Sequence, residues 1–330
     1  MFVLDTASLL PGDIVLTAQE AKVSQKIRAY TRSDYSHALL YVAHCSYIHS
    51  DRNGVHAGNT QRLLLDNDNQ THVLVLRVSN PDYRARLPYV CDFARTQVGK
   101  QYSVVEAAQS LAKRQSVKKA TANRQFCSRL VAQSYAYAGI PLVPNPDYCY
   151  PGDLHNAHYV APVENYLRIA TAAEIKFAQS PSPIDLQQKI TNDITTMTRR
   201  LSGEDIQTEE QIVDVILRRP EIDQPLTEYI ASTGYFDLWK IDMQKNPWRY
   251  NEIDFRALTI SSNEKRAAAH QEVVDAEAAL DRFRRMFDIY SHLQKIHSRR
   301  YLEAYAQLYA ELLRVHSNRL TVARAVLADA

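Results

Sequence analysis

The sequence predicts an α+β protein in which a sheet-forming first half is followed by an all-helical second half. Short β-branched and aliphatic runs alternate with turn residues in the first half. All four cysteines and six of the eight glycines lie before residue 160. After residue 183, apolar residues recur at three-to-four spacing. We therefore place the boundary at the Ser-Pro-Ser-Pro stretch and expect two domains, residues 1–180 and 181–330.

Composition excludes several classes of function. A net charge of +2 on 330 residues gives no concentrated basic face, so we expect no nucleic-acid partner. The cysteines show neither a CxxC pair nor metal-ligand spacing, and we predict no metal and no cofactor. The first residues lack a basic segment followed by an apolar core, which predicts no signal peptide, and no apolar run is long enough to span a bilayer. We expect synthesis in the cytoplasm and leave open secretion by a route that needs no signal.

The first domain reads as alternating strands and helices. Strands are predicted over residues 14–16, 35–42, 45–49 and 71–78, with Asn53-Gly54 as a turn. Helices are predicted over residues 22–30, 82–98 and 107–119. The proline- and tyrosine-rich residues 141–162 are predicted to form a loop that drapes over a cleft.

A cysteine lies in the first turn of a further predicted helix, residues 125–139. Leu130, Val131, Ser134 and Ala138 form its buried stripe, and Gly139 suits its C-terminus. The unpaired N–H groups and the dipole of a helix start favour a thiolate and can receive an oxyanion. The alternative is an inert buried cysteine, since free cysteines are often buried.

The second domain is predicted to be helical throughout. Ser261 opens a plausible N-cap run, and no proline or glycine follows it. One helix over that length would reach roughly 90 Å. We therefore expect a hairpin with a break near residues 297–299. The other predicted helices cover residues 184–200, 208–218, 226–230 and 236–243.

A thiol nucleophile needs a base and a third polar group that orients the base. His37 begins an apolar strand, where a polar ring is unusual. If His37 and His49 lie on adjacent antiparallel strands, an imidazole–imidazole hydrogen bond between them is easy to form. The other ring nitrogen of His37 would then face Cys127 in a thiolate–imidazolium pair.

Five short motifs occur in one order along residues 8–162: PGDIV at 11–15, YSHA at 35–38, VGKQY at 98–102, FCSRLV at 126–131, and PGDL at 151–154. In this order they resemble the circularly permuted branch of the NlpC/P60 papain-like superfamily. That branch contains the YiiX/YebB-type proteins and the lecithin:retinol acyltransferase-like enzymes. The resemblance implies a papain-like fold in which the histidine strand precedes the cysteine helix and a small antiparallel sheet packs on that helix.

The resemblance also implies roles for individual residues. Cys127 matches the nucleophile, His37 the base, and His49 the third polar group, for which His56 and His44 are the alternatives. Tyr102, Ser128 and Tyr35 match positions that line the substrate or the oxyanion hole. The helical second half has no counterpart in this family that we can identify.

The reaction implied by the resemblance is acyl transfer through a thioester on Cys127. We slightly favour lipid acyl esters, as in a phospholipase or acyltransferase, because the Tyr/Pro-rich residues 144–159 offer an apolar approach with peripheral membrane contact. The alternative is amide cleavage in peptides, including cell-wall peptides. The absence of an export signal beside a hydrolase also permits an antibacterial or host-directed effector that is delivered by a dedicated machine. A third reading is a non-enzymatic interaction protein in which residues 181–330 bind a partner or self-associate.

Overall fold

The computed structural model describes residues 1–18, 28, 33–66, 73–101 and 125–328. The chain forms two compact units: the first comprises Met1–Gln188 with Gln207–Glu210, and the second comprises Lys189–Ile206 with Gln211–Ala330. The helices predicted over residues 22–30 and 107–119 lie outside the described residues, apart from position 28. Of the described helices, none is both long and apolar enough to cross a bilayer.

The strands of the first unit form two antiparallel sheets, one of six strands and one of two. The strands are β1 (Phe2–Leu4), β2 (Ile14–Thr17), β3 (His37–Ala43), β4 (Ser46–Asp51), β5 (Gly54–Asn59), β6 (Val73–Val78), β7 (Val160–Pro162) and β8 (Leu167–Ile169). Six of them pair in the order β5-β4-β3-β2-β6-β7, and β1 pairs separately with β8. Every described pairing of these strands is antiparallel.

Both faces of the sheet are covered, which explains why its strands read as continuous apolar runs. Leu16 and Leu40 belong to the core cluster that includes the cysteine helix, whereas their neighbours Val15 and Leu39 belong to the cluster on the other face. The first cluster also receives side chains from helices α1 (Pro81–Arg84), α2 (Leu87–Thr96), α3 (Cys127–Tyr137) and α4 (Pro151–His155). A further helix, α5, covers Ala172–Gln179.

Two predictions for the first unit need correction. Residues 82–98 were expected to form one helix but form α1 and α2, because Arg86 and the proline in the first turn of α2 start a new helix. Residues 141–162 were expected to be a loop, yet they contain α4 and β7. The predicted end of α3 is confirmed, since Gly139 follows it with φ +73°.

The chain from residue 183 onward is helical, as predicted. The helices are α6 (Pro183–Ser202), α7 (Glu209–Arg218), α8 (Pro220–Ser232), α9 (Lys240–Lys245), α10 (Glu252–Arg256), α11 (Ser262–His297) and α12 (Arg300–Ala328). Ser261 caps α11 in a capping box with Glu264. The predicted break is confirmed at Ser298, a left-handed residue between the two long helices.

Tyrosines and one buried ion pair characterise the second unit. Tyr290, Tyr301 and Tyr305 are buried, and the ring of Tyr305 stacks on those of Tyr290 and Tyr301, with centroids 5.0 and 4.4 Å away. Arg319 is also buried and donates through Nε to the carboxylate of Glu272. The α11–α12 hairpin therefore combines an aromatic core with an internal charge pair.

Candidate active site

Cys127 is the first residue of α3. The preceding residue, Phe126, is extended (φ −139°, ψ 164°), and its side chain makes no cap hydrogen bond. The phenylalanine side chain does not accept a hydrogen bond from the N–H groups of the first turn, and these groups point toward the cysteine end of the helix. Cys127 is 7% exposed, and its Sγ interacts with the backbone of Ala38, the second residue of β3.

The start of α3 is held by contacts of the next two residues. Ser128 donates from Oγ to the carbonyl oxygen of Cys149 at 2.7 Å. The buried Arg129 donates from Nε to the carbonyl oxygen of Asp147 at 2.8 Å, and its guanidinium lies 4.5 Å from the centroid of the Phe126 ring. These contacts tie the helix to the segment before α4 and fix the position of the thiol.

His37 and His49 lie on neighbouring strands and are hydrogen-bonded, as predicted. Nε2 of His37 and Nδ1 of His49 are 2.8 Å apart, and the two rings meet edge-on. The register pairs Leu39 of β3 with His49 of β4. The pairing leaves Nδ1 of His37 as the ring nitrogen that is not engaged with His49.

A third histidine and a carboxylate adjoin this pair. His56 of β5 lies opposite His49 in the strand register, with ring centroids 4.2 Å apart. Nε2 of His56 lies 3.2 Å from Oδ1 of Asp51, which is two residues beyond His49 on β4. The edge of the Tyr47 ring packs against His49 at 5.1 Å. One hairpin thus carries three polar groups beside His37.

Residues 8–182 match the family described as permuted papain-like amidase enzymes, YaeF/YiiX, of the C92 family. This chain belongs to that family. Among solved structures, it is similar to the crystal structure of metalloprotein yiiX from Escherichia coli O157:H7. The two are 16% identical with a TM-score of 0.31, over 47% of this chain and 97% of that one. No curated protein matches this chain.

Membership of the permuted papain-like amidases confirms the resemblance and the α+β fold class predicted from the sequence. It makes the chain a cysteine hydrolase of the amidase type. The order of the candidate residues, with His37 on a strand that precedes the Cys127 helix, agrees with a permuted arrangement. The family is described as an amidase, and acyl transfer to an acceptor other than water stays a prediction.

Burial works against the thiolate–imidazolium pair that the sequence predicts, and that pair stays a prediction. Burial raises the pKa of the Cys127 thiol, and hydrogen bonds from the backbone of Ala38 and Ser128 only partly oppose that rise. Burial lowers the pKa of His37 to about 4, and it lowers the pKa of His49 well below its usual range. In this permuted papain-like amidase, burial therefore disfavours the charged forms of both the cysteine and the histidines.

The structure brings some of the predicted site residues together and not others. Cys127 reaches the peptide next to His37, but among the described contacts the ring of His37 is hydrogen-bonded to His49 and not to Cys127. Tyr35 is buried with its ring edge against His155, and the hydroxyl of Ser128 is turned to Cys149. Tyr102 lies outside the described residues. Their roles around the substrate stay predictions.

The sequence analysis did not predict that Asp51 lies beside His56, and it named His56 only as an alternative third polar group. The signal was present, because His49 and Asp51 are two residues apart and share one strand face, and a tight turn at Asn53-Gly54 returns His56 opposite His49. Strand β5 itself was not predicted. Its sequence, Gly-Val-His-Ala-Gly-Asn, has only one β-branched residue and two glycines, a composition that does not favour a strand.

Proposed function

We propose that the first domain, residues 1–180, hydrolyses amide bonds through a thioester on Cys127. His37 serves as the base, and His49 orients it. The observation that carries this proposal is the 2.8 Å contact between Nε2 of His37 and Nδ1 of His49. It leaves Nδ1 of His37 available to the thiol, whose helix start already lies against the residue that follows His37.

In the first half of the reaction, Nδ1 of His37 takes the thiol proton as Sγ of Cys127 attacks the carbonyl carbon. The resulting oxyanion is received by backbone N–H groups at the start of α3. His37 then gives its proton to the leaving amine, the C–N bond breaks, and a thioester remains. In the second half, water loses a proton to His37 and attacks the thioester, which releases the acid and restores the thiol.

The lone pair of His37 must reach Sγ for the first step, and that contact is proposed to tighten when substrate binds. Hydrogen bonds of catalytic groups are often long in the absence of substrate. A neutral imidazole is a suitable acceptor, because one of its two ring nitrogens carries a lone pair and no proton. The donor groups at the helix start stabilise the thiolate only as it forms.

Amides are favoured over esters as substrates because the family is described as an amidase. The preference for lipid acyl esters, the transfer to a second acceptor and the peripheral membrane contact stay predictions. The same holds for an effector role, and for partner binding or self-association through residues 181–330. An exported effector and an internal amidase would share the chemistry above, so the first experiment concerns the bond that is cleaved.

The test offers the purified full chain two substrate classes: peptides, including cell-wall peptides, and phospholipid vesicles. Products and any acyl adduct on Cys127 are followed by mass spectrometry. We expect amide products from the wild type, none from Cys127→Ala, and unchanged yields from Cys45→Ala, which removes a thiol from the β3–β4 turn. Equal yields from the wild type and Cys127→Ala would overturn the mechanism. Ester products alone would replace the amide substrate by the lipid one.

A further inference from the structure

The β4–β5 hairpin carries three side chains with atoms that bind metals. His49, Asp51 and His56 each offer one such atom, and these atoms all lie within 4.8 Å of one another. The antiparallel register sets this spacing, since His49 and His56 are directly paired and Asp51 pairs with Gly54 at the turn. The group is therefore built by two strands of the sheet and does not depend on a loop.

His56 is held in a tautomer that suits a ligand. Its Nδ1 lies 3.1 Å from the carbonyl oxygen of Ala57, which can only accept, so Nδ1 carries a proton. Nε2 is buried and makes no aligned hydrogen bond, although it faces Oδ1 of Asp51 at 3.2 Å. Nε2 faces a carboxylate, so a cation that binds Nε2 takes the place of the proton that would otherwise lie between these two atoms. A backbone carbonyl on the second nitrogen is the usual support of a metal-bound histidine.

We propose that His49, Asp51 and His56 bind a divalent cation of the Zn²⁺ type, and that its binding prevents His37 from acting as a base. Two imidazole nitrogens and one carboxylate oxygen are ligands that Zn²⁺ accepts, with a water in the fourth position. Bonds of about 2.0–2.2 Å place neighbouring tetrahedral ligands roughly 3.3–3.5 Å apart. The separation of 3.2 Å between His56 and Asp51 is close to that value.

Asp51 makes the group accessible from solvent. Its Oδ1 accepts a hydrogen bond from the backbone N–H of Asn53 at 2.8 Å, which holds the carboxylate in place. Its side chain is 33% exposed, which gives a cation from solvent a route to the group.

The effect on His37 follows from the tautomer of His49 and rests on the proposed function. Nδ1 of His49 is taken by His37, so a cation binds His49 through Nε2. The neutral ring must then carry its proton on Nδ1 and donate it to Nε2 of His37. That donation requires Nε2 of His37 to be bare, which moves the proton of His37 to Nδ1. A protonated Nδ1 cannot accept the proton of the Cys127 thiol.

The first arm of the test measures binding alone. The metal-stripped full chain is titrated with Zn²⁺ by calorimetry and with Co²⁺ by visible absorption. We expect one tetrahedral site in the wild type and in Cys127→Ala, and at least about tenfold weaker binding in His56→Gln and Asp51→Asn. His158→Gln, a change at an exposed histidine in the turn before β7, is the matched control and binds like the wild type. Affinity that is unchanged in His56→Gln overturns the site.

The second arm measures amide hydrolysis with and without saturating Zn²⁺. We expect the wild type and His158→Gln to lose most of their rate and to recover it with a chelator. The ratio of the two rates should approach one in His56→Gln. Equal inhibition of His56→Gln places the metal elsewhere, such as on the thiol, and overturns the switch, as does activation by Zn²⁺. A wild type without hydrolytic activity overturns the proposed function and the switch together, while the first arm still decides the metal site.

Discussion

The buried guanidinium of Arg319 in the second unit lies between two carboxylates, whereas the imidazoles of the first unit gather around one another. Nε of Arg319 donates to Glu272, and its Nη2 lies 3.7 Å from Asp275. His37, by contrast, is hydrogen-bonded to another imidazole, His49. Opposite charges that neutralise each other stabilise an architecture and need no further partner. Neutral rings that share protons can change state, which is what chemistry requires.

The largest expected effect is on the rate of amide hydrolysis, and it separates two histidines that share a lowered pKa but differ in their proposed role. Burial lowers the pKa of both His37 and His316 to about 4. We expect His37→Ala to reduce kcat/KM for amide hydrolysis by about 10²–10⁴-fold, since it removes the base. We expect His316→Ala to leave kcat/KM unchanged. Equal losses in the two variants would mean that His37 acts through stability alone, which thermal unfolding of both proteins measures.

The next effect concerns the charge pair of the second unit. Glu272→Ala leaves Arg319 buried without its closest carboxylate, and we expect the free energy of unfolding to fall by about 3–5 kcal/mol. The matched control is Glu277→Ala on the same helix, which removes an exposed pair with Arg324 and should change it by at most about 1 kcal/mol. Chemical denaturation of the full chain measures both. Similar losses would show that burial does not govern the pair.

Acid should weaken both units through their neutral histidines. An unfolded histidine has a pKa near 6.5, so the unfolded chain binds protons at higher pH than the folded chain does. The free energy of unfolding therefore falls as pH drops from about 6.5 to about 4, by at most about 3 kcal/mol for His37 or His316. Around His316 the charged groups are Arg319, Arg282, Arg249 and Asp242.

Urea unfolding at several pH values measures this dependence. His316→Gln should flatten the slope, because glutamine does not titrate, while the contribution of the first unit persists. A slope that is identical in the wild type and His316→Gln would show that His316 does not bind a proton differently in the folded and unfolded chain.

The smallest expected effect concerns the ring that packs on His49. A Cβ at Gly58 would lie 2.2 Å from the Tyr47 ring, which faces it across the hairpin. Gly58→Ala should therefore displace Tyr47, destabilise the protein by about 1–3 kcal/mol and disturb His49. Tyr47→Ala in the same chain removes the clash, so the double variant should be less destabilised than the sum of the two changes. Additive losses would place the strain elsewhere.

Apolar runs predicted the buried strands, and the order of the motifs along the chain predicted the family, but the short strands were not predicted. Apolar runs predicted β2, β3 and β6 because these strands are buried on both faces, and β4 was predicted as the antiparallel neighbour of β3. The short strands β1, β7 and β8 have only three residues each and owe their form to their partners, which no local pattern reveals. The hydrogen bond between His37 and His49 was predicted from the pairing of adjacent strands. The helix dipole, which favours a thiolate at Cys127, is visible in the sequence, whereas the burial that raises the pKa of this thiol is not.

Ser298 shows what the two long helices impose on the residue between them. It is a serine with φ +50° and ψ +51°, a conformation that is unfavourable by about 1–2 kcal/mol for a residue with a Cβ. The flanking helices dictate this bend, so the connection tolerates a poorly suited amino acid. A glycine there would relieve the tension at no steric penalty, and the hairpin should then melt at a higher temperature. The hairpin is therefore less stable with serine at this position than it would be with glycine.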